Sequence, residues 1–248
     1  MDLLPYARQL AASGLSVIPI AVAGTLGKKP IGSLLPQICD WPRKTVLRTG
    51  QPDAGRGRGS WLDYQTRIAS EAELQRWFGP ASWADRGVAV VAGAVSGGLL
   101  VLDFDDASFY ERWRAAVALP AGAMLQCTGG GGYQVWLRCA APGRNDKLAW
   151  RLLRDAAGRP ALDERGQPKR TIAIETRGEG GYAVIAPSLH PSGAAYALQD
   201  GDPCALPLQN DATVAALLAA ARALDEAPPP TPRPGPAARS RETTYRPG

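Results

Sequence analysis

Apolar positions fall in short blocks along this chain, separated by loops dense in glycine, proline and charge. In the first block Leu3, Tyr6, Ala7 and Leu10 share one face of a helix predicted over residues 2–13, with Asp2 placed to cap its start and Gly14 to end it. Residues 15–20 follow as a short strand that Pro19 pushes towards a sheet edge. Ser70-Glu71-Ala72-Glu73 is a capping box that opens a helix through Phe78, with Leu74, Trp77 and Phe78 facing inward. Residues 87–93 and 99–103 are two apolar strands, and the link 94–98 between them suits a hairpin.

The pattern then predicts a helix over 108–118, with Phe109, Trp113 and Val117 on one stripe. Strands at 124–127 and 133–137 flank a run of four glycines, and further strands are expected at 171–175, 182–186 and 194–198. The polar segment 142–170 is expected to hold a helix around 147–154 and a turn at 163–166. An alanine-rich helix over 211–224 has an Asn/Asp start. Strands clustered between 87 and 198, with helices between and around them, predict an α+β domain with a mostly antiparallel sheet. From 227 onward Pro, Arg, Gly and Ala dominate, which reads as a disordered tail or linker.

Composition narrows the class only a little. The chain has 248 residues, 45% hydrophobic and 21% charged, ordinary for a globular protein of one domain or two small ones. Its formal charge of +5 is compatible with an anionic partner such as nucleic acid without demonstrating one. Four scattered cysteines and a single histidine, His190, give no structural zinc site, and reduced thiols are the expectation. The N-terminus lacks the layout of a signal peptide and no apolar run is long enough to span a membrane, so a cytoplasmic protein with no membrane partner is expected.

The chemistry concentrates at strand ends. Leu99-Leu100-Val101-Leu102 runs straight into Asp103-Phe104-Asp105-Asp106. Alternation puts Asp103 and Asp105 on one face, about 6–7 Å apart, and Asp106 on the other. Two carboxylates so placed can hold the same pair of divalent ions. The same acids also read as a strand running out into an acidic turn, with Asp106 capping the next helix. Glu175 closes residues 171–175 as Asp103 closes its own strand, so the two strands side by side would place three carboxylates on one rim. Glu175 equally reads as the ion-pair partner of Arg177.

Glycines 129–132 leave backbone N–H groups open to a phosphate or sugar, or simply make a generous turn. No Gly-Lys-Ser/Thr follows, so this is not a Walker loop. In Pro187-Ser188-Leu189-His190-Pro191-Ser192-Gly193 the histidine stands beside serine, as a hook for a nucleotide or as a structural residue. No Gly-x-Ser-x-Gly elbow supports a serine hydrolase. Lys28 and Lys29, and Arg56 and Arg58 in a glycine-rich loop, are either solvated or in reach of phosphates.

The order of these motifs resembles the N-terminal domain of bifunctional DNA primase/polymerases, the primase-polymerase branch of the archaeo-eukaryotic primase superfamily. The resemblance covers roughly residues 5 to 200. It runs from Gly14-Leu15-Ser16-Val17-Ile18-Pro19 and Lys28-Lys29-Pro30, through Val91-Ala92-Gly93, Ser96-Gly97 and Leu102-Asp103-Phe104-Asp105, to Thr128-Gly129-Gly130-Gly131-Gly132-Tyr133. It continues with Ile174-Glu175-Thr176-Arg177-Gly178-Glu179-Gly180-Gly181-Tyr182 and Pro187-Ser188-Leu189-His190.

The resemblance implies an RRM-like catalytic sheet at 87–200, a smaller α/β part at 1–86 and a C-terminal helical part at 201–226, with the tail at 227–248. It implies primer synthesis or extension on a single-stranded DNA template from NTPs or dNTPs. Asp103, Asp105 and Glu175 would hold two Mg²⁺ or Mn²⁺ ions, and Gly131, Gly132, Gln134, Arg177, Ser188 and His190 would surround the nucleotide. Lys28, Lys29, Arg56, Arg58, Arg138 and Lys147 would follow the template backbone. Family members are typically carried by phages, plasmids and integrated mobile elements, which implies a bacterial, phage or plasmid-borne protein, and often continue into a helicase, which here would act in trans or from a longer chain. One departure is clear: where the family usually has a histidine soon after the glycines, this chain has Gln134, which can donate a hydrogen bond but carries no charge. That departure keeps two other readings open, a replication-initiation DNA-binding module with impaired catalysis and a metal-dependent nuclease.

Overall fold

Residues 2–24, 27–36 and 59–227 are described in the computed structural model of the protein. In order they form α1 (Leu3–Ala12), β1 (Ser16–Ile20), α2 (Glu71–Phe78), β2 (Gly87–Val91), β3 (Leu99–Phe104), α3 (Ala107–Ala116), β4 (Met124–Cys127) and β5 (Tyr133–Cys139). Then come β6 (Lys147–Leu152), β7 (Arg170–Arg177), β8 (Tyr182–Val184), β9 (Ala197–Asp200), β10 (Leu208–Gln209) and α4 (Asp211–Arg222). A three-stranded sheet has the order β1-β2-β8. A larger one has the order β6-β7-β3-β5-β4-β9, with β10 joining β5 in parallel. Every other strand pair is antiparallel, so the α+β class with a mostly antiparallel sheet holds.

Strand β3 is buried at every position because its two faces serve two cores. Leu100, Leu102 and Phe104 pack under α3 and α4, against Phe109, Trp113, Val214 and Leu217. Leu99 and Val101 point the other way, into the core shared with the small sheet, α1 and α2. Asp103 is next on that second face. The acidic pair therefore begins where the core between the two sheets runs out.

Three expectations are corrected. Strands β2 and β3 are not a hairpin: they lie in different sheets, joined only by a bridge from Gly93 to Leu99. Gly97 and Gly98 at positive φ turn the link from one sheet to the other, and each strand is buried on both faces. The link 178–181 also crosses between sheets, carrying the chain from β7 in the large sheet to β8 in the small one. The segment expected as a helix around 147–154 is strand β6, paired along β7, and its polar continuation is an arm bridged back on itself at Arg154–Pro160 and Leu162–Pro168. Asp2 stands at the start of α1, but its side chain makes no capping hydrogen bond.

Other expectations match. Strand β1 with Pro19 is a sheet edge, Asp106 caps α3 by accepting the Ser108 N–H, and Asn210 caps α4. The capping box at Ser70 is complete, and Glu73 also accepts from Tyr64 and holds Arg67 at 2.8 Å. The Arg67 guanidinium keeps the Glu73 carboxyl far below the usual carboxylate range. Replacing Glu73 with Ala should cost about 1–2 kcal/mol at pH 7, a drop of roughly 2–4 °C in Tm for each kcal/mol. Because the folded value is depressed, this contribution is present above the ordinary carboxylate range and lost as pH falls through the folded value. Thermal melts at pH 7 and pH 3 should show the gap between wild type and variant narrowing in acid.

Candidate active site

Strand register assembles the site. Asp103 lies opposite Gln134 of β5 on one side and Glu175 of β7 on the other. Glu175 is in turn opposite Lys147 of β6, and Gln134 opposite Gln126 of β4. Side chains directly opposite share a face. One polar row, Lys147–Glu175–Asp103–Gln134–Gln126, thus crosses five strands just beyond the apolar row of Val101, Trp136 and Met124. Its three central members, Glu175, Asp103 and Gln134, form the floor of a cleft of about 310 Å³ lined also by Asp105, Arg177, Lys28, Asn145, Tyr182 and Tyr196.

The charges in this cleft are poorly solvated. Burial, reinforced by the neighbouring Asp105, pushes the Asp103 carboxyl up to about 7. Burial also raises Asp105, against the pull of Lys28 and Arg177, and raises Glu175, against the pull of Arg177. Arg177 pairs with Glu175 and lies 3.8 Å from Asp103, which makes it the compensating cation of the group. The predicted Glu175–Arg177 ion pair is therefore present, and it sits within the acidic site.

The donor chemistry suits a hard divalent cation: three carboxylates on two paired strands, two of them beside a rim open to solvent. Among the described residues no three acidic, histidine or cysteine side chains are already drawn together around one point. Glu175 faces Arg177, so it has to exchange that partner to join the aspartates.

Gln134 is buried and its carboxamide is fixed at both ends. Its oxygen accepts from Gln126 at 2.7 Å and from the Trp136 indole at 3.3 Å, which turns its NH₂ to Asp103. Gln126 also donates to the Val184 carbonyl and accepts the Ala186 N–H, tying this network to the small sheet.

The remaining candidates separate into three groups. His190, the glycine turn and the Lys28 loop converge at the end of β3. Ser192 donates its hydroxyl to the Gly129 carbonyl and its N–H to His190 Nδ1, which leaves the ring proton on Nε2. Burial, and then Lys28, lower the His190 pKa, so the ring is a neutral donor near pH 7. A side chain on Gly129 would run into His190, and one on Gly132 into the Phe104 carbonyl, so these glycines permit close packing. The Gly131 and Gly132 N–H groups turn inward to Thr128, contrary to the open cradle expected of them. Lys28 adopts a left-handed backbone, φ 68°, held by its N–H to Ala21 and by Tyr182 on its carbonyl.

A second group is structural. Ser188 is fully buried and bonds both the N–H and the carbonyl of Val88, so its hydroxyl ties the chain after β8 to β2. Arg138 donates to the Ser13 carbonyl at the end of α1. The third group is peripheral: Lys29 is exposed, and Lys147 lies over the Trp150 ring at the outer strand. Arg56 and Arg58, and the tail from 228, lie outside the described residues.

Sequence reasoning missed Asn145, Gln126, Tyr182 and Tyr196. Tyr196 is buried in the cleft wall, where burial and the two aspartates raise its phenol well above the usual range. The strand expected at 194–198 forms instead as β9 at Ala197–Asp200, just after Tyr196, and nothing local marked Asn145 or Gln126.

The structure thus sets carboxylates at the mouth of a polar cleft between the two sheets of an α+β fold, beside a lysine and a neutral histidine. The model of the family described as bifunctional DNA primase/polymerase, N-terminal, matches residues 7–230, and the chain belongs to that family. A primase/polymerase type of function follows, with DNA and nucleotides as the ligands the family implies. No curated protein matches the chain. No described helix is long and apolar enough to cross a membrane.

Proposed function

We propose that the protein extends or synthesises primers on single-stranded DNA, joining nucleotides from NTPs or dNTPs at the cleft below Asp103. The observation that carries this reading is the polar row with Asp103 and Glu175 directly paired across β3 and β7. Asp103, Asp105 and Glu175 would hold two Mg²⁺ or Mn²⁺ ions, which supply charge neutralisation at the reacting phosphate and acidify the attacking hydroxyl. Arg177 holds the acidic group together before the substrate arrives and is then released towards the substrate's negative charge. Lys28 and the His190 Nε2–H bind the triphosphate tail, while Tyr196 and Tyr182 wall the cleft. The new bond joins the 3′-oxygen to the α-phosphorus, the bond to the β-phosphate oxygen breaks, pyrophosphate leaves and the hydroxyl proton passes to solvent.

A primed single-stranded template incubated with Mg²⁺ or Mn²⁺ and either NTPs or dNTPs tests this. Stepwise lengthening of the primer is the expected result. Shortening of labelled strands without nucleotides would instead establish the nuclease reading. The neutral Gln134 against Asp103 favours one second reading, a DNA-binding module with impaired catalysis, for which binding with steep salt dependence and no incorporation is the signature. Gln134→His tests the position itself: a gain of incorporation over wild type is expected if position 134 faces the nucleotide, and unchanged incorporation would place the nucleotide elsewhere.

A further inference from the structure

The connection between β6 and β7, residues 153–169, is built from one sequence unit used twice. Asp155-Ala156-Ala157-Gly158-Arg159-Pro160 and Asp163-Glu164-Arg165-Gly166-Gln167-Pro168 share the order Asp-x-x-Gly-x-Pro. In each, one aspartate oxygen accepts two backbone N–H groups, from Ala157 and Arg159 at 2.9 Å and from Arg165 and Gln167 at 2.8 and 2.9 Å. The glycine takes a left-handed backbone, φ 76° and 73°, and the proline bridges back to Arg154 or Leu162. Three backbone bonds then close a ring: the Leu153 N–H to the Lys169 carbonyl at 2.9 Å, Lys169 to Ala161 at 2.7 Å, and Ala161 to Leu153 at 2.8 Å. The arm is a preorganised knob.

Its base is tied to the acidic strand end. Arg151 pairs with Asp106, the residue after Asp105. Glu226 accepts the Leu152 N–H at 3.2 Å, and the Arg170 guanidinium lies 4.5 Å from the Trp150 ring centre. The register shows where the arm projects. Asp105 donates its N–H to the Ala173 carbonyl at 3.0 Å, so Arg170 stands about 10 Å further along β7 at 3.3 Å per residue. The glycine turn between β4 and β5 leaves the same end of β3 on its other flank, with Gly132 against the Phe104 carbonyl and Gly129 against His190. Asp105 therefore lies between that turn and the arm.

The arm is cationic where it is free. Between 151 and 170 six lysines and arginines stand against three acids, and two of those acids, Asp155 and Asp163, are spent on the turns, which leaves Glu164. Arg165 and Lys169 are exposed, with no side-chain partner among the described residues. No aromatic ring within 153–169 offers a base a stacking face, so cations on a fixed frame suit phosphates rather than bases. In phosphoryl transfer the attacking oxygen and the leaving group lie on opposite sides of the phosphorus. With the pyrophosphate leaving towards Lys28 and His190, the copied duplex lies away from this end of β3 and the uncopied strand passes it. Resting on the proposed function, we infer that the arm holds the backbone phosphates of the uncopied template strand just ahead of the incoming nucleotide. Such contacts position the strand without reading its sequence.

Binding measured without nucleotide or metal tests the inference apart from catalysis. By fluorescence anisotropy, wild type should bind a primed template with a long uncopied 5′ extension about tenfold or more tighter than the same duplex with a blunt end. The double variant Arg165→Gln/Lys169→Gln should lose most of that preference and hold the blunt duplex within about twofold of wild type. Its salt slope for the extended duplex should fall by about 0.7 for each cation removed. A 4-thiothymidine placed in the extension next to the primer terminus should photo-crosslink to wild-type peptides containing residues 151–170. A wild type without the preference, a variant that keeps it, or crosslinks confined to other segments would overturn the inference, and primer extension by that wild type would leave the polymerase reading standing. An arm-dependent preference in a wild type that never extends a primer would support the strand-holding arm and refute the proposed polymerase activity.

Discussion

Asn at both Asp103 and Asp105 should lower primer extension by about 10³-fold or more while making the protein melt at a higher temperature. The two effects have one cause. The cleft holds carboxylates where they are poorly solvated, and Asp103 is pushed up to about 7 by burial and by Asp105. An acid whose folded pKa lies above its unfolded value destabilises the fold in its ionised form. The cost is absent below the unfolded value of 3.8, grows as pH rises towards 7, and is fully present above it. Removing it should stabilise the metal-free protein at pH 8 by on the order of 2 kcal/mol, or roughly 4–8 °C, and by almost nothing at pH 3.5. Asn keeps the shape and the hydrogen bond from Gln134, so packing is preserved. Adding Mg²⁺ or Mn²⁺ should raise the melting temperature of wild type and not of the variant. Differential scanning calorimetry at both pH values, with and without metal, checks each part. A variant that melts lower at pH 8 would show that the acids serve the fold.

The second large effect is at Lys28. This residue is not in a regular element; its loop is pinned by Ala21 and Tyr182 and its amine influences both Asp105 and His190. Loss of one preorganised cation at a developing phosphate charge costs about 10²-fold. Lys28→Ala should therefore reduce kcat/KM for the nucleotide by about that factor, with primer affinity unchanged, and Lys28→Arg should restore part of it. Equal losses for nucleotide and primer would remove Lys28 from the triphosphate end of the groove.

Much of the site was legible because strand ends carry unmistakable chemistry. An apolar run that breaks into Asp-x-Asp, and another that closes on Glu175, point to neighbouring strands, and Asp103 does pair with Glu175. The capping residues Ser70, Asp106 and Asn210 were readable for a related reason: a cap depends on three or four consecutive residues.

What escaped depends on partners far away in sequence. Strands β2 and β3 are buried on both faces, so nothing in them says which sheet each joins, and a five-residue glycine link fits a crossover as well as a hairpin. Lys147–Leu152 is too short for its apolar positions to separate strand from helix, and pairing with β7 decides it. Ser188 looked available in a Pro-flanked loop, yet its hydroxyl is committed to Val88, a residue a hundred positions away. Gln126 gained its meaning only when β4, β5 and the chain after β8 came together around it. The expectation for Gly131 and Gly132 fell to Thr128, whose carbonyl and hydroxyl take their N–H groups first.

The central claim is that the carboxylate-floored cleft joins nucleotides under the direction of a template. The most direct measurement offers a primer annealed to a homopolymer dT template with each of the four nucleotides separately, in Mg²⁺ and in Mn²⁺, to wild type and to the Asp103→Asn/Asp105→Asn variant. The adenine nucleotide alone should extend the primer efficiently, and in wild type alone. Extension by all four nucleotides alike, extension that survives in the variant, or no extension with either metal would contradict it.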